Sequence, residues 1–265
     1  MATPTTQTTL TFEEKHHFLL RKLHSLTGII PIGAFLVEHL LTNSAAFDWF
    51  GLFKGGRDVF NEKVHWIHNL PFLLLLEIFF IFLPLAFHAL YGIKIAMSAH
   101  NNTRLYPYMD NRRFALQRIT GYIAVLFLIV HLLKFRFAHL VGWGPEFIGH
   151  ADPFEVTRVG LTAWSPWGFT VPAWMTMTGY VIGLAAACFH FGNGIWSFCI
   201  SWGITIGQKA QDRVRMAGLG VAAVLFIWGC GSLYAFGTAK PSAAAAEHAH
   251  EQKAAAVNAE PIAVP

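Results

Sequence analysis

Long stretches of this chain carry no formal charge, and their spacing predicts its elements. No Asp, Glu, Lys or Arg occurs from Val159 to Gln208 or from Ala217 to Ala239, and Val64 to Ile93 holds only Glu77. A helix needs about 20 apolar residues to cross hydrocarbon. The pattern predicts five spans, at about 23–47, 70–97, 114–140, 172–205 and 217–238. The third has Arg118 near one end and Lys134 and Arg136 near the other, where long basic side chains can snorkel to water. The fourth is entered through Trp164, Pro166, Trp167 and Pro172. The expected fold is therefore an all-α membrane protein, a bundle of five transmembrane helices.

The flanks differ from the bundle. Residues 1–13 are expected to be a flexible N-terminal segment: Met1 to Thr11 is Thr-rich and lacks a basic region followed by an apolar stretch and a small-residue cleavage site. The first span is accordingly expected to be retained. From Ala239 the chain alternates Ala, Pro, Glu and His without apolar periodicity, so 239–265 is expected to be a disordered, Ala-rich tail. His248 and His250 in that tail are expected to be solvated rather than metal-bound.

Composition agrees with the pattern. Charged residues make up 13% and hydrophobic ones 54% of the chain, and mean hydropathy is +0.45; soluble domains carry about a quarter charged residues. A net charge of +4 suggests nucleic acid only if the basic residues form a stripe, and here they sit between spans. They set an orientation instead. With a cytoplasmic N-terminus and an external C-terminus, 11 Lys and Arg lie inside and 8 outside, the short inner connections holding most of the bias. Cys188, Cys199 and Cys230 all fall within spans and are too scattered for a disulfide scaffold, a zinc site or an iron-sulfur cluster.

Four of the 14 histidines stand deep in four different spans: His39, His88, His131 and His190. An ionisable group in hydrocarbon is costly unless it is paired or coordinated. One such His serves an interhelical hydrogen bond as readily as a metal, but four need a common explanation, and depth selects one. His39 comes late in the first span, counted from Lys22, and His131 late in the third, counted from Arg118. At about 1.5 Å per residue both lie roughly 20 to 25 Å above the inner basic girdle. His88, shortly before Lys94, and His190, well after Pro172, lie past the midplane on spans that run the other way. Two His at one depth on facing helices can ligate one haem from both sides, so two pairs imply two stacked haems.

Local sequence supports related roles. Thr27-Gly28, Thr120-Gly121 and Thr178-Gly179 precede His39, His131 and His190, each Gly by about three helical turns. Gly leaves room beside a flat cofactor, although small residues also serve plain helix packing. No CxxCH occurs, so the haems are expected to be non-covalent b-type groups. His24, Ser25 and Arg118 are candidates for the inner haem's propionates, with a positive-inside role open for Arg118.

The strings around these His carry a resemblance. Arg21-Lys22-Leu23-His24-Ser25-Leu26-Thr27-Gly28, Leu76-Glu77-Ile78-Phe79, His88-Ala89-Leu90-Tyr91-Gly92, Leu116-Gln117-Arg118-Ile119-Thr120-Gly121 and His190-Phe191-Gly192-Asn193-Gly194-Ile195-Trp196-Ser197-Phe198 are the matching stretches. The chain resembles the cytochrome b membrane-anchor subunit of succinate:quinone oxidoreductase, in its single-chain, five-helix, dihaem form, over about residues 14 to 238. The resemblance implies an FAD flavoprotein and an iron-sulfur protein as cytoplasmic partners, in a bacterial cytoplasmic membrane. It implies electron transfer from succinate through two b haems to a quinone, menaquinone in similar anchors. By motif, His88 and His190 would hold the inner iron and His39 and His131 the outer one. The same architecture serves quinol:fumarate reductases.

A quinone beside the outer haem needs a proton donor. Glu77, about three helical turns before His88 and roughly 16 Å further outward, is the first candidate, structural pairing being its alternative. Glu62, His65 and His68 at the outward entrance are others. Some dihaem anchors carry a Glu two residues before the inner ligand on the fourth span; Cys188 stands there, which favours succinate oxidation over fumarate reduction. Rival classes are a transporter or scaffold with His relays, and the cytochrome subunit of another dehydrogenase.

Overall fold

A computed structural model describes residues 12–99, 103–106, 108–243, 245–247 and 251, with side chains from residue 15 onward. The N-terminal segment through residue 11, His248, His250 and the tail beyond residue 251 lie outside the described residues. Among those described there is no strand. Five helical segments are long and apolar enough to cross a membrane: Lys15–Ser44, Leu73–Ser98, Met109–Lys134, Ala173–Ser201 and Gln208–Thr238.

The first span is two helices, α1 (Phe12–Ile29) and α2 (Ile32–Ser44), joined at Pro31, which has no amide hydrogen for the helical ladder. Helix α3 (Arg57–His68) lies between the first and second spans. The second span runs from α4 (Leu73–Glu77) through a π-helical turn (Ile78–Phe82) into α5 (Leu83–Ser98). Pro84 accounts for the turn: inside a regular helix its ring would clash with the carbonyl of Phe80, and a widened turn relieves this. Helix α6 (Met109–Lys134) is the third span, followed by the short α7 (Ala138–Val141) and α8 (Pro153–Thr162). Helices α9 (Ala173–Ser201) and α10 (Gln208–Thr238) are the fourth and fifth spans.

The first and fifth helical segments begin earlier than the apolar pattern predicts, at Lys15 and Gln208, because a charge marks where a helix leaves hydrocarbon rather than where it ends. The third stops at Lys134 instead of Leu140: the chain turns at Phe135, and the Phe137 amide bonds the Leu132 carbonyl at 2.9 Å.

Helix α9 is central, packed on α10, α6, α1 and α8. It meets α10 closely where Gly192 faces Gly218; a Cβ on Gly192 would stand 2.3 Å from the Gly218 carbonyl oxygen. The second span lies against the first and α6, and its Leu74, Leu75, Phe79, Phe80 and Leu83 are exposed. Apolar side chains turned outward at midspan suit hydrocarbon, where the helical backbone satisfies its own polar groups.

The two ends differ. At the end where the first, third and fifth spans start, Lys22 donates to the Ser201 carbonyl, Arg113 to Asn193 Oδ1 at 3.2 Å and Arg215 to Asp110 at 3.3 Å. The opposite, far end is capped by α3 and α8, where Phe60, Phe154 and Phe236 meet with centroids 4.8 to 5.9 Å apart. Arg57 there bonds Asp152 at 2.6 Å, Glu155 at 3.0 Å and the Lys240 carbonyl at 3.0 Å. Burial opposes ionisation of Asp152 and Glu155. Hydrogen bonds from Asn61 and the Glu155 amide to Asp152, from Arg158 to Glu155, and from Arg57 to both outweigh it and hold both carboxyls below their usual values.

Candidate functional site

The four deep histidines meet as two pairs. His88 of α5 faces His190 of α9 with ring centroids 6.1 Å apart and planes at 90°. His39 of α2 faces His131 of α6 at 5.8 Å and 83°. Two metal–nitrogen bonds of about 2 Å, with the two ring radii, put trans imidazoles on one iron roughly 6.3 Å apart. Both spacings therefore fit a bis-imidazole haem. Two imidazoles per site are a donor set that suits haem, whose porphyrin supplies the other four nitrogens.

The near pair is positioned by a motif that occurs twice. His88 Nδ1 lies 2.9 Å from the His24 carbonyl oxygen, and His190 Nδ1 lies 3.1 Å from that of Gln117. A carbonyl only accepts, so Nδ1 carries the proton in each ring and the Nε2 lone pair is left for a metal. Three residues after each carbonyl comes a Thr whose hydroxyl bonds back into its own helix: Thr27 to Leu23 and His24, and Thr120 to Leu116 and Gln117. A Gly follows each Thr, directly under the incoming ring. A Cβ on Gly28 would lie 2.5 Å from His88 Cε1, and one on Gly121 would lie 3.0 Å from His190 Cε1. Each glycine thus makes room for a histidine ring from the adjacent span.

This explains the Gly-to-His spacing. Gly28 and Gly121 mark the level of the near pair, and His39 and His131 follow about three turns later on the same spans. The rise per residue sets the pairs about 15 to 16 Å apart along the bundle. Gly179, which shares the sequence pattern, has no neighbour within 4 Å and plays no such part.

The far pair has an aromatic setting. Phe127 stacks on His131 at 5.6 Å, the Tyr180 hydroxyl lies 3.3 Å from His131 Nδ1, and Phe35 packs on His39 at 5.4 Å.

The other predicted residues scatter. His24 stacks flat on His88 with centroids 4.2 Å apart, and Ser25 accepts from Trp202 Nε1 at 2.9 Å while donating to the Lys22 carbonyl at 3.0 Å. Arg118 is half-buried on α6, one residue after Gln117. Glu77 is held in a two-pronged ion pair by Arg136, at 2.8 and 3.1 Å. His65 Nε2 lies 3.2 Å from the His150 carbonyl, and Glu62 is exposed on the same helix. His68 is held below the usual histidine value by burial and by His65 and Arg136, against the pull of Glu77.

Sequence reasoning missed Gln117 and Asn193 as a linked pair. The Gln117 amide donates to the His190 carbonyl at 3.0 Å, and the Asn193 amide donates to Gln117 Oε1 at 2.8 Å. Both residues lie in the strings quoted above, and Asn193, three residues after His190, is a helical-face signal that could have found them. Tyr180 was also missed, as was any part for Lys134 beyond its place at a span end.

Fold and geometry define a class: a five-span helical membrane protein with two stacked imidazole pairs between its spans. No family model matches the chain. The succinate dehydrogenase cytochrome b558 subunit of Bacillus subtilis (strain 168) is 37% identical to it over 219 residues, which is 83% of this chain and 96% of that protein. The chain belongs to the family of succinate dehydrogenase cytochrome b subunits.

Proposed function

We propose that residues 14–238 form a dihaem cytochrome b domain that anchors a succinate:quinone oxidoreductase in the bacterial cytoplasmic membrane, N-terminus inside. The crossed imidazole pairs at 6.1 and 5.8 Å carry this reading. His88 and His190 would hold the inner haem and His39 and His131 the outer one. Bound there, the haems would supply one-electron carriers. The chain's own residues fix the ligands: His24 and Gln117 carbonyls hold the inner Nδ1 protons, Gly28 and Gly121 admit the rings, and Tyr180 hydrogen-bonds the outer ligand His131.

The partners in this reading are an FAD flavoprotein and an iron-sulfur subunit on the cytoplasmic side, where succinate loses two electrons and two protons. A quinone, menaquinone in our reading, takes up two electrons and two protons near the outer pair. Glu77 is paired with Arg136, so its first role is to hold the second span to the end of the third. His65, His68 and Glu62 of α3 are left as the groups that pass protons from the outer surface. Cys188 is buried two residues before His190 and offers no carboxylate for a compensating proton path, which favours succinate oxidation.

A reduced-minus-oxidised spectrum of the purified complex, with haem quantified against subunit mass, tests the ligand set. Alanine at any of the four His should remove one low-spin haem. Full haem in all four variants would exclude the assignment. Slower succinate:quinone turnover in sealed membranes on adding an uncoupler would support electron passage to the outer side, and no effect would count against it.

A further inference from the structure

Three buried N–H donors gather near the far end of the third span without an acceptor among the described residues. Lys134 ends α6 and is only 4% exposed, yet its Nζ has no hydrogen-bond partner among the described residues. The indole Nε1 groups of Trp143 and Trp164 are likewise buried and unpaired. The two indoles lie 5.3 Å apart, and Lys134 Nζ sits 4.2 Å from the centroid of Trp164 and 5.1 Å from that of Tyr180. Lys134, Trp143 and Trp164 line one cavity of about 240 Å³.

The carboxylate and the imidazole on its wall are already engaged. Glu155 bonds Arg57 and Arg158, and His150 accepts from the Asp152 amide at Nδ1 and lies at hydrogen-bond distance from His65 through its carbonyl. The wall is also shaped to the lysine: a Cβ on Gly160 would stand 2.8 Å from the Phe135 ring and 3.6 Å from Lys134 Cε. A buried cation without a counter-charge is costly. Three donors with no acceptor suit an anionic oxygen, above all a carboxylate, which accepts short charge-assisted bonds.

Position identifies which carboxylate. Lys134 follows His131 by three residues, one helical turn toward the far end, and Tyr180 touches both. We propose that Lys134, Trp143 and Trp164 bind a propionate carboxylate of the haem held by His39 and His131. This rests on the dihaem reading above and assigns the outer haem an anchor in this chain's own side chains.

The test uses the whole complex carrying haem labelled with 13C at the propionate carboxylates, read by redox-difference infrared spectroscopy. In Lys134→Gln the labelled band of the outer haem should shift. The uncompensated carboxylate should favour oxidised iron about tenfold, a fall of about 59 mV for a one-electron couple. The double variant Trp143→Phe/Trp164→Phe keeps the cation and the ring volumes and should shift the same band. Selective loss of the outer haem in Lys134→Gln, with the shifted band in the double variant, also supports the anchor. Two normal haems with an unmoved labelled band in both variants would overturn it. So would a changed quinone affinity without a band shift, which would give the donors to the quinone. A wild-type complex lacking a second haem would instead remove the dihaem reading itself.

Discussion

In the dihaem reading, replacing Gly28 with Ala perturbs one proposed ligand, His88, and leaves the others alone. The added carbon would stand 2.5 Å from His88 Cε1 and 3.0 Å from Nδ1, whereas ordinary contact begins at 3.4 Å, so the ring must retreat by 3.4 − 2.5 = 0.9 Å. It cannot do so freely, because Nδ1 is bonded to the His24 carbonyl at 2.9 Å and the ring stacks on His24 at 4.2 Å. Losing that bond costs about 1 kcal/mol, and overpacking a filled interior adds about 1–3 kcal/mol. The sum of about 2–4 kcal/mol corresponds to a roughly 30- to 800-fold weaker hold on the inner haem. The far pair lies about 15 Å away and should keep its haem. Haem per complex should fall from two towards one, the inner haem's spectrum being the one lost. Gly179→Ala, which meets nothing within 4 Å, is the control and should keep both. A Gly28→Ala complex with two haems and an unchanged inner spectrum would contradict the packing account, as would an equal loss in Gly179→Ala.

Glu77→Gln leaves the half-buried Arg136 without its carboxylate and should lower the thermal stability of the complex by about 1–3 kcal/mol, with haem content unchanged; an additional Arg136→Met should recover part of the loss, as a calorimetric or solubility melt would show. Asp152 and Glu155 hold their protons less tightly folded than unfolded. Their contribution is therefore complete above the ordinary carboxylate range near pH 4 and is lost as pH falls through their lowered folded values. Protease nicking around α8 should rise in that acid window, and Arg57→Met should make it appear at higher pH. Gly218→Ala drives a carbon to 2.3 Å from the Gly192 backbone oxygen, which no rotamer change relieves. It should part α9 from α10 and cut the yield of assembled complex, while Gly220→Ala, with open space around it, should not.

The spans and the four ligand candidates were legible because hydrocarbon imposes a one-dimensional rule: about 20 residues without charge, with any exception conspicuous. Helix rise then sorted His39 with His131 and His88 with His190, and the ring distances agree with that sorting. The role of the glycines was only half legible. Sequence tied Gly28 to His39 and Gly121 to His131 on the same span, but the rings they admit belong to His88 and His190 on neighbouring spans. A spacing within one helix cannot name its partner on another.

Glu77 shows the limit in another way. It stands about three turns from His88, and a regular helix would put both on one face. The π turn over Ile78–Phe82 rotates what precedes it by about 100°, and the carboxylate meets Arg136, just beyond the end of the third span.

What the sequence determined by itself is what depends on position along a helix axis: five spans, two depths and a pair of His at each. What tertiary structure decided is what depends on rotation about those axes and on contacts between them. These are the carbonyls that orient His88 and His190, the ion pair that takes up Glu77, and the enclosure that leaves the Lys134 ammonium without an acceptor among the described residues. Depth is a running sum of equal small rises, one per residue, and survives local irregularity. Azimuth turns by about 100° per residue, so one widened turn or one kink reassigns every contact beyond it.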